Sequence, residues 1–145
     1  MQFKTVTTAL LLFISIGLYS QSDEDLIRHS IQNYFNGTAY NHLEQIESAF
    51  HPQATLYLEN TAGDLVLFSA AEYIALFKNN EVGKFGGRYS KILQIELEGN
   101  LAQVKAEILM PKRNRRYIDV FIMRKNTEGV WQIVSKAANS KAIEE

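Results

Sequence analysis

Cysteine is absent from this chain of 145 residues. Its absence excludes disulfide bonds, metal sites built from thiolates and a cysteine nucleophile. An excess of either charge is also absent, because the formal net charge at pH 7 is −1. A chain whose positive and negative charges nearly cancel has no overall electrostatic field that would attract nucleic acid or an anionic membrane. We therefore predict no nucleic-acid partner.

The sequence also lacks the motifs of common catalytic and nucleotide-binding sites. It has no Gly-x-Ser-x-Gly elbow, no phosphate-binding loop and no dinucleotide fingerprint. Its three histidines, His29, His42 and His51, do not show a ligand spacing such as His-x-x-x-His. We therefore predict neither a metal site nor a cofactor, and nucleophilic or nucleotide-driven mechanisms lose support.

Residues 1–20 have the pattern of a secretory signal peptide. Lys4 precedes an apolar stretch from Val6 to Leu18, and small and acidic residues follow. The stretch is shorter than the ~20 residues that a spanning helix needs, and an uncleaved anchor is the alternative. We predict cleavage after Ser20, which removes Lys4 and takes the net charge from −1 to −2. The protein is then exported to the periplasm or the medium, with no stable membrane insertion.

The rest of the chain, residues 21–145, has the composition of one compact domain. Hydrophobic residues make up 46% of the full sequence and aromatic residues 11%, which suits a domain with a real core. No second domain, internal repeat or low-complexity linker is indicated. Without disulfides, the domain must be stabilised by packing alone.

Three segments begin with a capping signature, in which a Ser or Asn is followed three residues later by an acidic residue. Apolar residues then recur at helical spacing, as Ile27, Ile31 and Tyr34 do in the first segment. We predict three helices, of which the first ends at Asn36-Gly37 and the second at Pro52. The capping pairs are Ser22 with Asp25, Asn41 with Glu44 and Ser69 with Glu72.

Elsewhere apolar and polar residues alternate with a period of two, which is typical of half-buried strands. Turn residues separate these segments, so we predict a mostly antiparallel sheet. The loop at residues 79–87 contains three glycines, and we expect it to be the most mobile segment. The predicted strands cover residues 54–59, 65–68, 93–98, 102–108, 117–125 and 130–137.

Taken together, the order of elements and four short motifs resemble the nuclear-transport-factor-2-like superfamily, and within it the SnoaL-like and putative lumazine-binding proteins of bacteria. The resemblance implies an α+β cone, with three helices from the N-terminal half packed on a strongly curved, mostly antiparallel sheet. It also implies a pocket open at one end and often a homodimer. His42 departs from the pattern, since many relatives have Asp there. The motifs are Tyr34-x-x-Gly37, Ala49-Phe50-His51-Pro52, Tyr117-x-Asp119 and Gly129-x-Trp131-x-Ile133-Val134-x-Lys136.

Two residues are candidates for proton transfer. Asp119 shares a strand face with Tyr117 and Phe121. If that face points into the cone, desolvation raises the pKa of Asp119 and makes it a base or a ligand acceptor. The alternative is a structural carboxylate that accepts hydrogen bonds. His51, at the predicted corner between helix and strand, is the second candidate catalytic residue, with a capping role for the turn as its alternative.

Aromatic residues give the stronger indication of a ligand pocket. Pockets lined by a few aromatic side chains with one or two polar groups are typical of small-molecule sites, although core packing is the alternative for each residue. The predicted ligand is small and hydrophobic or aromatic. The predicted pocket residues are Tyr34, Phe50, Tyr57, Tyr89, Tyr117, Phe121 and Trp131.

Two cationic features are predicted to lie outside the pocket. Lys136 alternates away from Trp131 and Ile133, so we expect it on the surface or in a dimer contact. The basic cluster Lys112–Arg116 is expected at a hairpin tip. It is either a solvated turn or a contact for an acidic sugar, a membrane surface or a protein partner.

Three functional hypotheses follow. The leading one is an exported small-molecule-binding protein with no assured catalytic activity. The second is a cofactor-free isomerase, dehydratase or related lyase that uses Asp119 or His51 as acid or base. The third is a dimeric interaction module in which the cone is only a scaffold. Fold alone does not choose among them.

Overall fold

Within residues 21–143, which the structure describes, the chain forms three α-helices and six β-strands. The structure is a computed structural model. The predicted signal peptide, residues 1–20, lies outside the described residues. The elements are α1 (Asp23–Tyr40), α2 (Leu43–Ala49), β1 (Phe50–Glu59), β2 (Leu65–Ser69), α3 (Ala70–Ala75), β3 (Tyr89–Glu98), β4 (Leu101–Met110), a 3₁₀ turn (Pro111–Arg113), β5 (Arg115–Lys125) and β6 (Trp131–Lys141).

The six strands form one sheet in the order β2-β1-β6-β5-β4-β3. All neighbours are antiparallel except β1 and β6, which run parallel. The first helix contacts both β3 and β6, so it crosses the inner face of the sheet. The predicted α+β architecture, with helices packed on a curved and mostly antiparallel sheet, is confirmed.

Three irregularities in strand pairing bend the sheet. They occur between β1 and β6, between β3 and β4, and between β5 and β6. In the last of these, Ile122 faces Ser135 while Met123 faces Ile133, so Val134 is an extra residue in β6. An extra residue bends its strand and increases the local twist. The sheet therefore curves around the core.

The core lies between α1 and the inner face of the sheet. Each large apolar side chain buried there contributes roughly 1.5–3 kcal/mol. The predicted caps hold α1 and α3 in place, since Ser22 Oγ accepts a hydrogen bond from the Asp25 N–H at 3.1 Å and Ser69 Oγ accepts one from Glu72 at 3.2 Å. The fully buried residues at the centre include Ile27, Ile31, Tyr34, Val104, Phe121 and Ile133.

The predicted end of α1 at Asn36-Gly37 is wrong. The helix continues to Tyr40 and is capped by Asn41, whose φ is 60°. Gly37 instead lies inside the helix, where a Cβ atom would be 2.6 Å from Cγ1 of Ile46 and 2.8 Å from its backbone nitrogen. The glycine therefore permits the close approach of α2 and does not end α1.

The predicted capping role of Asn41 at α2 is also wrong, because the N-cap is His42. Asn41 Nδ2 instead donates to the carbonyl oxygens of Glu81 at 3.0 Å and Lys84 at 3.2 Å. Two backbone hydrogen bonds of 2.7 Å join the glycines of the same loop to the last turn of α1. The loop that we expected to be most mobile is therefore tied to α1, and it leads directly into Arg88.

The boundary between α2 and β1 falls earlier than predicted. The helix ends at Ala49, and the strand begins at Phe50 and includes Pro52. In the paired registers of the described strands, residues 51–54 of β1 have no partner. Proline has no N–H to donate to a ladder. Pro52 is therefore accommodated in the unpaired part of the strand.

Candidate functional site

A buried ion pair lies on the inner face of β5 and β6. The Nζ atom of Lys136 is 2.8 Å from Oδ2 of Asp119, and their side chains are 4% and 1% exposed. In the register Asp119 faces Ala138, so Lys136 is its diagonal neighbour on the same face. Asp119 therefore faces inward and has a cationic partner there.

Our expectation that Lys136 lies on the surface is wrong, and the extra residue Val134 is the reason. Strict alternation from Trp131 and Ile133 would point Lys136 away from the core. The irregularity at Val134 shifts the alternation by one residue, so that Lys136 turns inward and is buried.

Two tyrosine hydroxyls complete the environment of the ion pair. Lys136 Nζ donates to the hydroxyl oxygen of Tyr34 at 2.8 Å, and that hydroxyl lies 3.0 Å from the hydroxyl of Tyr73 and 3.4 Å from Asp119 Oδ2. The ammonium also lies 5.0 Å from the centre of the Tyr73 ring and 5.9 Å from that of Phe121. Such distances allow cation–π attraction. The charge of Lys136 is therefore held by a carboxylate, a hydroxyl and two aromatic faces.

The protonation states follow from these contacts. Burial alone would lower the pKa of Lys136, but the Asp119 carboxylate and the neighbouring tyrosines outweigh it and raise that pKa above its usual value. Burial raises the pKa of Tyr34 well above its usual value. At neutral pH the site therefore contains an ammonium ion and a neutral phenol, and Lys136 is not a free base.

A cavity of about 150 Å³ opens above this ion pair. Typical small-molecule pockets have volumes of about 300–1,000 Å³, so the cavity suits a small ligand or one end of a larger one. Its wall mixes cationic, anionic, aromatic and apolar groups. The lining residues are Leu58, Glu59, Tyr73, Arg88, Met110, Arg113, Tyr117, Asp119, Lys136, Ala138 and Ser140.

Arg88 is the least satisfied polar group of this wall. Its Nη1 donates to the thioether sulfur of Met110 at 3.7 Å, and sulfur is a weak acceptor. Its Nε is buried and has no hydrogen-bond acceptor among the described residues. Arg88 is half-buried and enters the cavity from the end of the loop that is tied to α1. The Nε donor of this guanidinium group therefore points to no acceptor among the described residues.

The structure separates the predicted pocket residues into three groups. Tyr117 lines the cavity, as does Asp119. Tyr57 and Tyr89 are 40% and 58% exposed and do not line it. Tyr57 lies outside because strand alternation points it away from the buried neighbour Leu56. The remaining residues are buried in the core, and they are Tyr34, Phe50, Phe121 and Trp131.

Two of these core residues have specific structural contacts. The hydroxyl of Tyr34 touches the cavity-lining residues Lys136, Asp119 and Tyr73 from below. The indole N–H of Trp131 donates to Asp23 Oδ1 at 3.0 Å and so joins the start of α1 to the start of β6. Tyr34 therefore belongs to the base of the site, and Trp131 anchors the helix.

His51 lies away from Asp119. Its Nδ1 accepts a hydrogen bond from the backbone N–H of Gln53 at 3.2 Å, as in the capping alternative. Its side chain lines a separate surface groove together with Arg124 and Gln132, and Asp119 does not line this groove. The two candidate catalytic residues therefore do not share a cavity.

Sequence reasoning missed Tyr73 and Arg88 as site residues and misplaced Lys136. Tyr73 lies on the short helix α3, and Arg88 follows a glycine pair without any motif. Arg113, from the predicted hairpin tip, lines the cavity as well. No local pattern brings these residues together, because they come from segments far apart in the sequence.

Within residues 21–143, no group of three or more His, Cys, Asp or Glu side chains is arranged to hold a metal ion. Over the same residues, none of the helices combines the length and apolar character needed to cross a bilayer.

Comparison with solved structures shows the fold. A nuclear-transport-factor-2-like protein of unknown function from Shewanella baltica has 20% identity and a TM-score of 0.73, with 83% of this chain and 95% of that chain covered. One from Methylobacillus flagellatus has 25% identity and a TM-score of 0.71, with 83% and 93% covered. One from Silicibacter pomeroyi has 18% identity and a TM-score of 0.71, with 83% and 100% covered.

Comparison of sequences shows the family. A search of the curated proteins finds no match to this chain. The family model described as Putative lumazine-binding matches residues 22–138, which is nearly the whole described chain. The resemblance predicted from the motifs is therefore confirmed. This chain belongs to the Putative lumazine-binding family, and its fold is that of the nuclear-transport-factor-2-like superfamily.

Proposed function

We propose that this protein binds a small molecule in the cavity above Asp119 and Lys136. The observation that carries this proposal is the convergence of polar groups on one concave site, where the buried Nε of Arg88 has no acceptor among the described residues. Buried polar groups in folded proteins are normally paired. A ligand that accepts hydrogen bonds from this guanidinium group would complete the site.

The wall of the cavity supports binding of a ligand with both polar and apolar parts. Leu58, Met110 and Tyr117 offer apolar and aromatic surface, while Arg88 and Ser140 offer hydrogen-bonding groups. Small-molecule sites usually combine such a wall with a few fixed polar groups. The buried contacts of Lys136 with Asp119 and Tyr34 fix the floor of the cavity.

Binding has more support than proton-transfer catalysis. A general base must be free to accept a proton at the operating pH. Asp119 is engaged with the ammonium of Lys136 at 2.8 Å, and His51 lines another groove. The catalytic alternative requires a loss of turnover in Asp119→Asn with the fold retained, so unchanged turnover of an identified substrate would remove Asp119 from any mechanism.

Thermal-shift measurements on residues 21–145 test the proposal with a panel of sugars and heterocycles, including lumazine because the family carries that name. A ligand present at a hundred times its Kd stabilises the folded state by ~2.7 kcal/mol. Any compound that raises the melting temperature should lose its effect in Ala138→Phe, because Ala138 lines the cavity and a phenyl ring would fill it.

Ala137→Phe is the matched control, since Ala137 is the exposed neighbour of Ala138 on the same strand. This variant should respond to the ligand as the unmodified protein does. An equal response of both variants would place the ligand elsewhere and contradict the proposal. Absence of binding by every compound tested would contradict it as well.

We also propose that the protein is exported. Support comes from the charged, apolar and small-residue order of residues 1–20. Cell fractionation followed by mass spectrometry of the N-terminus should find the protein outside the cytoplasm and beginning at Gln21. A cytoplasmic protein that retains Met1 would overturn this proposal.

A homodimer is a third proposal. Ile118, Val120 and Ile122 of β5 alternate with buried residues, so they present partly exposed apolar side chains on the outer face of the sheet, and such a surface is common in subunit contacts. Light scattering on the mature protein should give about twice the monomer mass. A monomer at all concentrations tested would exclude it.

A further inference from the structure

We propose that the ligand carries a carboxylate group, and that the guanidinium of Arg88 binds it. This inference rests on the proposed function and names the chemical class of its ligand. It starts from the distribution of charge over the cavity wall, where the cations are Arg88, Arg113 and Lys136 and the anions are Glu59 and Asp119.

Only one of these cations has an anionic partner. Lys136 is paired with Asp119 at 2.8 Å. Among the ion pairs of the described residues, none within 4.0 Å involves Arg88, Arg113 or Glu59. The inner part of the cavity therefore contains the unbalanced positive charge of Arg88.

The donors of Arg88 identify the complementary group. A guanidinium has five N–H donors in a planar fork, and it remains charged in proteins. Here one nitrogen faces the sulfur of Met110, and the buried Nε faces no acceptor among the described residues. A carboxylate is planar, accepts two parallel hydrogen bonds and matches the fork. A neutral ligand would leave Arg88 without an ion-pair partner among the described residues.

The other lining residues limit the size and the charge of the part of the ligand that lies beyond its carboxylate. Tyr73, Tyr117 and Leu58 surround the cavity with aromatic and apolar surface, and its volume is about 150 Å³. Glu59 adds a negative charge to the lining, which opposes a second anionic group on the ligand. The geometry therefore fits a small monocarboxylic acid with a short aromatic or aliphatic body.

Calorimetric titration of residues 21–145 with benzoate and hexanoate, and with the matched neutral amides benzamide and hexanamide, tests the inference on the unmodified chain. At least one of the two acids should bind, and its amide should bind roughly tenfold more weakly or not at all, because an amide carries no charge. Equal binding of acid and amide, or no binding of either acid, would overturn the inference.

Arg88→Met removes the charge and keeps an unbranched side chain. It should weaken binding of the acid roughly tenfold or more, because hydrogen bonds to a charged group are lost. Arg115→Met is the matched control, since Arg115 is exposed and does not line the cavity. Its affinity for the acid should stay within about twofold of the unmodified protein. An unchanged affinity in Arg88→Met would overturn the assignment to Arg88.

Failure of this inference can be told apart from failure of the proposed function. If neutral compounds bind and Ala138→Phe blocks them, the cavity is a binding site and only the carboxylate assignment is wrong. If an acid binds equally well to Ala138→Phe and to the unmodified chain, the cavity is not the site and both proposals fail.

Discussion

The sheet has two sites where a carboxylate contacts cationic side chains. The two sites lie on opposite faces of the sheet, and their carboxylates are one register position apart. Asp119 of β5 faces Ala106 of β4, and the next residue of β4, Glu107, points to the opposite face. Asp119 has the single cationic partner Lys136 at 2.8 Å. Glu107 has two partners, at 2.8 Å from Lys91 and 2.6 Å from Arg116.

The two sites differ in the water around the cations. Both members of the inner pair are buried, whereas Lys91 and Arg116 of the outer site are 65% and 31% exposed. Exposed pairs contribute little, because solvent screens them. Buried pairs contribute little net stability too, but each member depends strongly on the other. The outer site therefore joins three strands without burying its cations. The inner site holds two buried charges in place beneath a cavity.

Removal of one member of the inner pair should have the largest effect. Lys136→Met leaves the Asp119 carboxylate buried without its cation, so the free energy of unfolding should fall by about 3–5 kcal/mol. Urea denaturation followed by circular dichroism measures this change.

The double variant Asp119→Asn/Lys136→Met is the control for that prediction. It removes both charges, so it should recover much of the lost stability, and the difference gives the coupling between the two residues. A double variant no more stable than Lys136→Met would show that the pair is not the source of the effect.

Removal of the hydroxyl beneath the pair should have an intermediate effect. Tyr34→Phe keeps the ring but removes the oxygen that lies 2.8 Å from Lys136 Nζ and 3.0 Å from the Tyr73 hydroxyl. Loss of a buried hydrogen-bond partner should lower the free energy of unfolding by about 1–3 kcal/mol. Urea denaturation measures this change as well. Tyr40→Phe, at a tyrosine that is 40% exposed, should change stability by less than about 0.5 kcal/mol. Equal losses in the two variants would contradict the assigned role of the buried hydroxyl.

Neutralisation of the outer carboxylate should have the smallest effect. Glu107→Gln should lower the free energy of unfolding by about 1 kcal/mol or less at neutral pH. Hydrogen bonds from Lys91 and Arg116 hold the pKa of Glu107 below its ordinary value of 4.5. Its contribution is therefore present above pH 4.5 and is lost as the pH falls through the lower folded value.

Denaturation curves from neutral pH to about pH 3 check this sign, because the difference between Glu107→Gln and the unmodified protein should shrink on acidification. A difference that grows towards acid would contradict the lowered pKa. Lys136 behaves in the opposite way. Because its pKa is raised, its contribution is present below its ordinary value of 10.5 and is lost only as the pH rises through the higher folded value.

The sequence predicted the parts of the fold that depend on local chemistry. The pairs Ser22 with Asp25 and Ser69 with Glu72 form real capping boxes, because every atom of such a cap lies within four residues. The alternation of apolar and polar residues predicted the six strands, because this pattern too depends only on residues close together in the sequence. Gly37 was misinterpreted as a helix stop, because the residue that requires a glycine there, Ile46, lies on another helix.

The site was harder to predict because it depends on contacts between distant segments. Lys136 was assigned to the wrong face, since the irregularity that turns it inward appears only when β6 pairs with β5. Tyr34 and Tyr73 meet across 39 residues, and Lys136 and Tyr34 across 102. The alternation of a single strand put Asp119 and Tyr117 on the same face, but it did not show that this face borders the cavity.

The extra residue at Val134 divides β6 into two halves of opposite phase. Before it, the odd-numbered residues Trp131 and Ile133 face the core. After it, the even-numbered residues Lys136, Ala138 and Ser140 form a wall of the cavity. Substitutions in the second half can therefore change the chemistry of the cavity while the positions that hold α1 and the core stay the same. Because of this one extra residue, a single strand packs against the core in its first half and lines the cavity in its second half.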